Sequence, residues 1–214
     1  MTHLLRFFFV LLMVLAGCHP LASGSLEAVG SDIHLRCRGN VFLVRGWRDL
    51  WSGGIDVLAN QIRGGGMNAQ VYRASQWHEL AEAIERRYGS ATPPRPLVLI
   101  GFSYGADDVL RIAGQLGRDH IAVDLLITID PVTPPPVPGN VVACYNYFQT
   151  NGIWDVFPWL RGIPLRASRP GQLMNVDIRR DRPDLLLPDL SHATIAGDPK
   201  LQREIAARVM ELCR

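Results

Sequence analysis

The feature that most constrains the fold is an alternation of short apolar runs with longer segments of helical periodicity. The short runs have the length of β-strands and are apolar at nearly every position, as in Val41 to Val44. The longer segments place their apolar residues on one helical face, as Leu80 and Ile84 do. Buried strands separated by helices are typical of a parallel sheet with helices on both faces. We therefore predict an α/β fold built on a mostly parallel sheet.

The pattern places six strands and four helices along the chain. Strands are predicted at 41–44, 69–72, 97–100, 123–129, 141–148 and 173–178, and helices at 55–62, 77–88, 106–116 and 199–212. A chain of 214 residues with 48% hydrophobic residues can bury one substantial core, and we expect one domain over 31–214. Ligands of such sheets bind beyond the carboxyl ends of the strands, so the residues that follow each strand are the candidates for chemistry.

The strand at 97–100 is followed directly by Gly101-Phe102-Ser103-Tyr104-Gly105, and then by a predicted helix. Glycine on both sides permits the sharp turn that exposes the serine hydroxyl above the sheet. With this placement, the chain from Val41 onward resembles the α/β-hydrolase superfamily. The resemblance implies that Ser103 is the nucleophile of an acyl-transfer reaction.

The superfamily has the chain order nucleophile, acid, histidine. Of the six histidines only His120 and His192 follow Ser103, and we expect only His192 to leave room for an acid between nucleophile and base. His192 also lies just before the last predicted helix, where the superfamily places its general base. The resemblance therefore implies that His192 takes the proton of Ser103.

Two residues are candidates for the acid that orients His192. Asp130 ends the strand at 123–129 and precedes a proline, an arrangement similar to that of the pancreatic-lipase group. Asp177 follows a later strand and matches the commoner superfamily placement, but it alternates with apolar neighbours like a strand residue that faces solvent or caps a turn. We prefer Asp130 and keep Asp177 as the alternative.

An oxyanion needs two backbone N–H groups aimed at the developing charge. The superfamily implies that Tyr104, which follows the nucleophile, supplies the first of them. Trp47 is our candidate for the second, because Gly46 keeps the backbone after the first strand open to close approach. The family often has histidine before this glycine, where this chain has Arg45.

Three residues are candidates for contact with the substrate: Phe102 beside the nucleophile, Arg45, and Trp154 in the apolar segment 153–160. Arg45 is expected either to bind an anionic group of the substrate or to pair with an acidic side chain. The segment 153–160 is too apolar for a solvated loop, and it fits a wall or lid over the site as well as packing against the sheet edge.

The first residues combine a short polar start, an apolar run and Leu15-Ala16-Gly17-Cys18. This arrangement resembles a bacterial lipoprotein signal peptide, which implies cleavage after residue 17 and acylation of Cys18. Residues 18–30 are then a flexible tether, and the protein is anchored by lipid in the cell envelope, facing the periplasm or the exterior. The alternative is an ordinary secretory signal that contains a cysteine.

Export to the envelope allows disulfides to form. Cys144 lies in an apolar strand and is expected to be a buried free thiol, whereas Cys37 and Cys213 flank the domain and are the pair able to join its two ends. Sequence alone leaves that pairing open.

A net charge of +2 and the absence of a basic cluster disfavour a nucleic-acid partner, and no Cys/His cluster has the spacing of metal ligands. We expect no cofactor, and a small-molecule or lipid ester as substrate. The leading hypothesis is a metal-independent serine hydrolase that acts on an ester or thioester at the envelope. The segment from Gly101 to Asp107 is also similar to the AcvB/VirJ family of bacterial envelope hydrolases. The alternative is a catalytically silent hydrolase fold that serves as a binding or assembly lipoprotein.

Overall fold

A computed structural model describes residues 22–29, 37–90, 92–150 and 162–213. Its sheet has six parallel strands: β1 (Asn40–Val44), β2 (Asn68–Tyr72), β3 (Leu97–Phe102), β4 (Val123–Ile129), β5 (Val141–Phe148) and β6 (Leu173–Asp177). The strand order is β2-β1-β3-β4-β5-β6. The order reverses between β1 and β3, so the loops after these two strands diverge and leave a crevice between them.

Helices cover both faces of the sheet, as predicted. They are α1 (Gly53–Gly65), α2 (Trp77–Tyr88), α3 (Tyr104–Arg118), α4 (Ile178–Asp181) and α5 (Pro199–Glu211). Helices α1 and α5 pack on one face with Val41 and Leu43, and α2 and α3 pack on the other with Phe42 and Val44. Because both faces of β1 are buried, the strand is apolar at successive positions and shows no alternation with polar residues. The predicted α/β class with a parallel sheet is confirmed.

The element boundaries differ from the prediction by one to three residues, and an aspartate cap marks two of them. Helix α5 begins as predicted, with Asp198 accepting hydrogen bonds from the N–H groups of Lys200 and Leu201 at 2.8 and 3.4 Å. Strand β6 ends at Asp177 instead of residue 178, because the Asp177 side chain caps α4 by accepting from the Arg179 N–H at 3.2 Å. Strand β6 therefore ends one residue earlier than its run of apolar residues indicates.

Residues 22–29 lie in the stretch predicted as a tether, yet they pack on the domain. The Gly24 N–H donates to the Val71 carbonyl at 2.6 Å, and the Tyr72 hydroxyl donates to the Ser25 carbonyl at 3.1 Å. Val29 is buried. Strand β2 is at the edge of the sheet, and its unpaired backbone groups offer partners to this segment. These eight residues therefore contact the edge strand of the sheet.

The structure pairs Cys37 with Cys213, joining the segment before β1 to the end of α5 across 176 residues of sequence. Cys144 in β5 is free and buried, and burial raises the pKa of its thiol to about 12. The predicted signal segment 1–17 and Cys18 lie outside the described residues. In the part of the chain that is described, no helix combines the length and apolar character needed to cross a bilayer.

Candidate active site

Ser103 occupies a strained turn between β3 and α3. Its backbone has φ 57° and ψ −128°, in a region that side chains other than glycine rarely adopt. The turn is also tightly packed, because a Cβ on Gly101 would overlap the backbone of Gly105, and one on Gly105 would overlap the Arg45 carbonyl. Both glycines that flank the serine are thus required by close backbone approach.

The structure brings Ser103, His192 and Asp130 into one hydrogen-bonded line. His192 Nε2 lies 2.9 Å from Ser103 Oγ, and His192 Nδ1 lies 3.0 Å from Asp130 Oδ2. A carboxylate only accepts, so Nδ1 carries a proton and Nε2 is free to accept from the serine hydroxyl when the imidazole is neutral. The three residues are 7%, 4% and 0% exposed, respectively, so bulk water competes little for these bonds.

Asp130 also accepts hydrogen bonds from a side chain and a backbone group that belong to no sequence motif. The Gln149 N–H donates to Asp130 Oδ1 at 3.0 Å, and the Gln149 amide approaches Oδ2 at 3.4 Å. Arg179 Nε donates to Gln149 Oε1 at 3.2 Å, and Arg179 Nη2 donates to the Leu190 carbonyl, two residues before His192, at 2.5 Å. This Arg179–Gln149 pair therefore connects the strand that carries the acid to the segment that carries the imidazole.

Gln149 has one signal in the sequence, and Arg179 has none. Gln149 directly follows β5, at the carboxyl edge where chemistry was expected, but it belongs to no motif. Arg179 lies in a helix of four residues, and only the fold brings its side chain to Gln149.

Aromatic rings support the imidazole on two sides. The Phe102 ring is stacked on the His192 ring, with a centroid distance of 5.2 Å and an angle of 30°. Trp51 meets the imidazole edge-on at 6.4 Å. Phe102 is fully buried, so its predicted contact with substrate is wrong; it packs against the imidazole instead. Trp51 is largely exposed and lines a surface cleft.

Asp177 makes no contact with His192. Its carboxylate accepts from the Thr150 hydroxyl at 2.8 Å and from the Arg179 N–H that begins α4. The side chain is buried, so the expectation that it faces solvent is wrong, whereas the capping role weighed beside it is observed.

The two N–H groups considered for the oxyanion site lie on either side of the nucleophile's turn. Tyr104 is the first residue of α3, and Trp47 begins a short 3₁₀ turn after β1. A Cβ on Gly46 would lie 3.1 Å from Ser103 Cβ, so this loop lies against the nucleophile. Within the described residues, neither the Tyr104 nor the Trp47 N–H donates to another group. Both donors are therefore available to a bound oxyanion.

The Arg45 side chain lies inside the protein and does not face the site, so its predicted contact with substrate is wrong. The side chain is completely buried and forms a bidentate ion pair with Asp56 of α1, with distances of 3.0 and 2.6 Å. It also donates to the Ala22 carbonyl at 2.5 Å. The alternative expectation, a pair with an acidic side chain, is the one observed, and a buried charge requires such a partner.

Two clefts reach the residues that directly follow Ser103 and His192, Tyr104 in one and Ala193 in the other. One, of about 400 Å³, is lined by Trp47, Tyr104 and Trp77 together with charged side chains. The other, of about 370 Å³, is lined by residues that include Trp51 and Thr194. Trp154 and the segment 153–160, predicted as a wall or lid, lie outside the described residues. Among the residues that are described, no group of three or more His, Cys, Asp or Glu side chains is arranged to hold a metal.

Neither a protein-family model nor a curated protein matches the sequence. Among solved structures, the chain is similar to a protein assigned to the hydrolases of the alpha/beta superfamily from Xanthomonas campestris pv. campestris, with 15% identity, a TM-score of 0.49 and coverage of 81% of this chain and 99% of that one. An esterase domain from Rhodothermus marinus has 14% identity, a TM-score of 0.48 and coverage of 86% and 90%.

A protein assigned as a YdeN-like hydrolase from Pectobacterium atrosepticum has 15% identity and a TM-score of 0.45, and the match covers 82% of this chain and 92% of that one. Likenesses this distant assign no residue roles and no substrate. The chemistry of this chain is therefore inferred from the geometry of its own site.

Proposed function

We propose that the chain is a serine hydrolase that cleaves a carboxylic ester or thioester through an acyl-enzyme. The observation that carries the proposal is the line from Ser103 through His192 to Asp130, with bonds of 2.9 and 3.0 Å. A serine hydroxyl is a weak nucleophile, and it becomes a strong one when a base takes its proton during attack. A buried carboxylate on the far nitrogen holds the base in the tautomer that can accept that proton.

In the acylation half, Ser103 Oγ attacks the carbonyl carbon while its proton passes to His192 Nε2. The carbonyl oxygen gains the negative charge, which the N–H groups of Tyr104 and Trp47 stabilise. The tetrahedral intermediate then collapses. The bond from carbon to the leaving oxygen or sulfur breaks, and the leaving atom takes the proton from His192.

In the deacylation half, a water molecule attacks the acyl carbon and gives its proton to His192. Collapse breaks the bond to Ser103 Oγ, which takes the proton back, and the carboxylic acid is released. Asp130 stabilises the imidazolium that exists between the two proton transfers in each half. Since the acid is fully buried, its charge acts on the imidazole with little screening by water.

The test is labelling with a fluorophosphonate probe, since an activated serine beside oxyanion donors attacks phosphorus as it attacks a carbonyl carbon. We expect one label on Ser103, found by peptide mass spectrometry, and none in Ser103→Ala. Ser90→Ala is the matched control, because Ser90 is exposed and its hydroxyl donates to the Arg87 carbonyl at 3.2 Å, within its own helix end. Labelling that persists in Ser103→Ala contradicts the proposal and places the nucleophile at another residue. No labelling of the folded wild-type protein contradicts it and favours the catalytically silent module.

We also propose that the protein works at the cell envelope, held there by acyl chains on Cys18. The support is the sequence Leu15-Ala16-Gly17-Cys18 after an apolar run. Acylated Cys18 at the mature amino terminus, detected by mass spectrometry of the membrane fraction, is the expected result. A mature amino terminus at another residue, or an unmodified Cys18, contradicts this localisation.

A further inference from the structure

The cleft of about 400 Å³ lies on the side of the nucleophile away from the acid. It is lined by residues that follow β1, β2 and β3, among them Trp47, Arg73 and Tyr104, and by Trp77 of α2. Asp130 ends β4, which lies on the opposite side of β3 from β1. The cleft therefore occupies the crevice where the strand order reverses, which is the usual ligand position in open α/β sheets.

The position of His192 decides which part of an ester enters this cleft. During acylation His192 Nε2 must reach the leaving atom to protonate it, so the leaving group extends toward His192 and the second cleft, beside Thr194. With the carbonyl oxygen on the N–H groups of Tyr104 and Trp47, the remaining substituent of the carbonyl carbon points the other way. That substituent is the acyl chain.

Two arginines line the cleft, and one of them, Arg48, has no acidic partner among the described residues. Asp49 faces Arg73 at 3.4 Å, and Asp108 accepts from Arg111 at 2.7 Å, so both carboxylates are engaged. Arg48 is exposed, and its guanidinium lies 5.0 Å from the centre of the Trp47 ring. Among the described residues no carboxylate forms an ion pair with it.

The aromatic contact leaves the hydrogen-bonding edge of Arg48 available. A guanidinium that stacks on an indole keeps its N–H groups in its own plane, and these groups match a carboxylate in a bidentate arrangement. The Arg48 backbone has φ 50° and ψ 28°, an uncommon left-handed conformation for a residue other than glycine. The adjacent Trp47 and the facing Trp77 supply apolar walls for a hydrocarbon stem.

We propose that this cleft binds the acyl chain of the substrate and that Arg48 binds a carboxylate at the far end of that chain. The preferred substrates are then half-esters or half-thioesters of a dicarboxylic acid. This inference rests on the proposed serine hydrolase function, and it adds the substrate class. The walls pack on the methylene groups, and the charge-assisted hydrogen bonds to Arg48 select the anionic end.

The test compares p-nitrophenyl hexanoate with the p-nitrophenyl monoester of glutaric acid, two acyl chains of similar length of which only the second is charged. The measured quantity is the ratio of kcat/KM for the charged ester to that for the neutral ester. We expect a ratio well above one in the wild-type protein and a fall of about threefold to fivefold in Arg48→Gln, since an ion pair with an exposed guanidinium is worth up to about 1 kcal/mol. Added salt should also lower the wild-type ratio.

Arg86→Gln is the matched control, because Arg86 is an exposed arginine of α2 whose ion pair, with Glu82, is local. It should keep the wild-type ratio. Turnover of both esters with a ratio near one, or a ratio that Arg48→Gln leaves unchanged, overturns the assignment of the cleft and leaves the hydrolase function standing. Absence of turnover together with absence of fluorophosphonate labelling overturns both.

Discussion

Replacing Asp130 by asparagine tests the hydrogen-bonded line at its buried end. In the wild-type protein, Asp130 Oδ2 accepts from His192 Nδ1 at 3.0 Å while Oδ1 accepts from the Gln149 N–H at 3.0 Å. Asparagine keeps the shape of the aspartate side chain but has only one oxygen. That oxygen is expected to accept from the Gln149 N–H. The NH₂ group then faces Nδ1 and stabilises the tautomer protonated at Nε2. An imidazole in that tautomer donates to Ser103 Oγ and cannot take its proton.

The expected loss is about a thousand-fold or more in kcat/KM, equivalent to about 4 kcal/mol in the activation free energy. Two effects contribute to it. The productive tautomer becomes the minor one, and the imidazolium loses the negative charge that offsets its own in a site that excludes water. The assay is turnover of a soluble chromogenic ester, with circular dichroism to show that the fold is intact.

Asp177→Asn is the matched control for a buried carboxylate at a strand end. Its partners are the Thr150 hydroxyl and the Arg179 N–H, and asparagine caps a helix about as well as aspartate does. We expect kcat/KM within about tenfold of wild type, with a small loss of stability. The reasoning is refuted if Asp130→Asn retains activity within tenfold, or if Asp177→Asn is the more damaging substitution.

Three further outcomes are expected. Gln149→Leu removes a hydrogen bond to Asp130 Oδ2, so the carboxylate that orients His192 is held less firmly, and kcat/KM for a soluble chromogenic ester should fall by about tenfold. Cys213→Ser opens the 176-residue loop to Cys37, and the free energy of unfolding in guanidinium should fall by about 3 kcal/mol. Burial raises the pKa of Asp108 to about 6, so the folded chain binds the extra proton and stability falls as pH rises from about 4 to about 6. The stability of Asp108→Asn relative to wild type should therefore increase over that interval.

The sequence predicted those parts of the site that depend on one element and its end. Ser103 and Asp130 each follow a run of buried apolar residues, so strand positions alone bring them to the same edge of the sheet. His192 was found through chain order, although 89 residues separate it from Ser103. The tight turn at Ser103 also has a local signature in the sequence, because only glycine fits at positions 101 and 105, two residues before and after the serine.

What the sequence could not predict depends on side chains that meet across the fold. Arg45 follows a strand, as a binding residue would, but its direction is decided by Asp56, a carboxylate of α1 that reaches back to it. Phe102 adjoins the nucleophile in sequence, yet its ring packs against His192 inside the protein. In both cases the sequence places the residue near the site but does not indicate where its side chain points.

The two functions that we propose for the site reside on separate structural units. The loop that carries Trp47 and Arg48 is closed by Ser52, which accepts from the Gly46 N–H and donates to the Leu50 carbonyl, each at 3.0 Å. None of these bonds involves the segment that carries His192. Because the loop is braced within itself, changes in the side chain at Arg48 can alter the charge of the acyl cleft without displacing the imidazole. Substrate preference and proton transfer are therefore expected to respond independently to substitution, except at two residues of this loop: Trp47, whose N–H serves the oxyanion and whose ring forms the cleft, and Trp51, whose ring meets the imidazole edge-on.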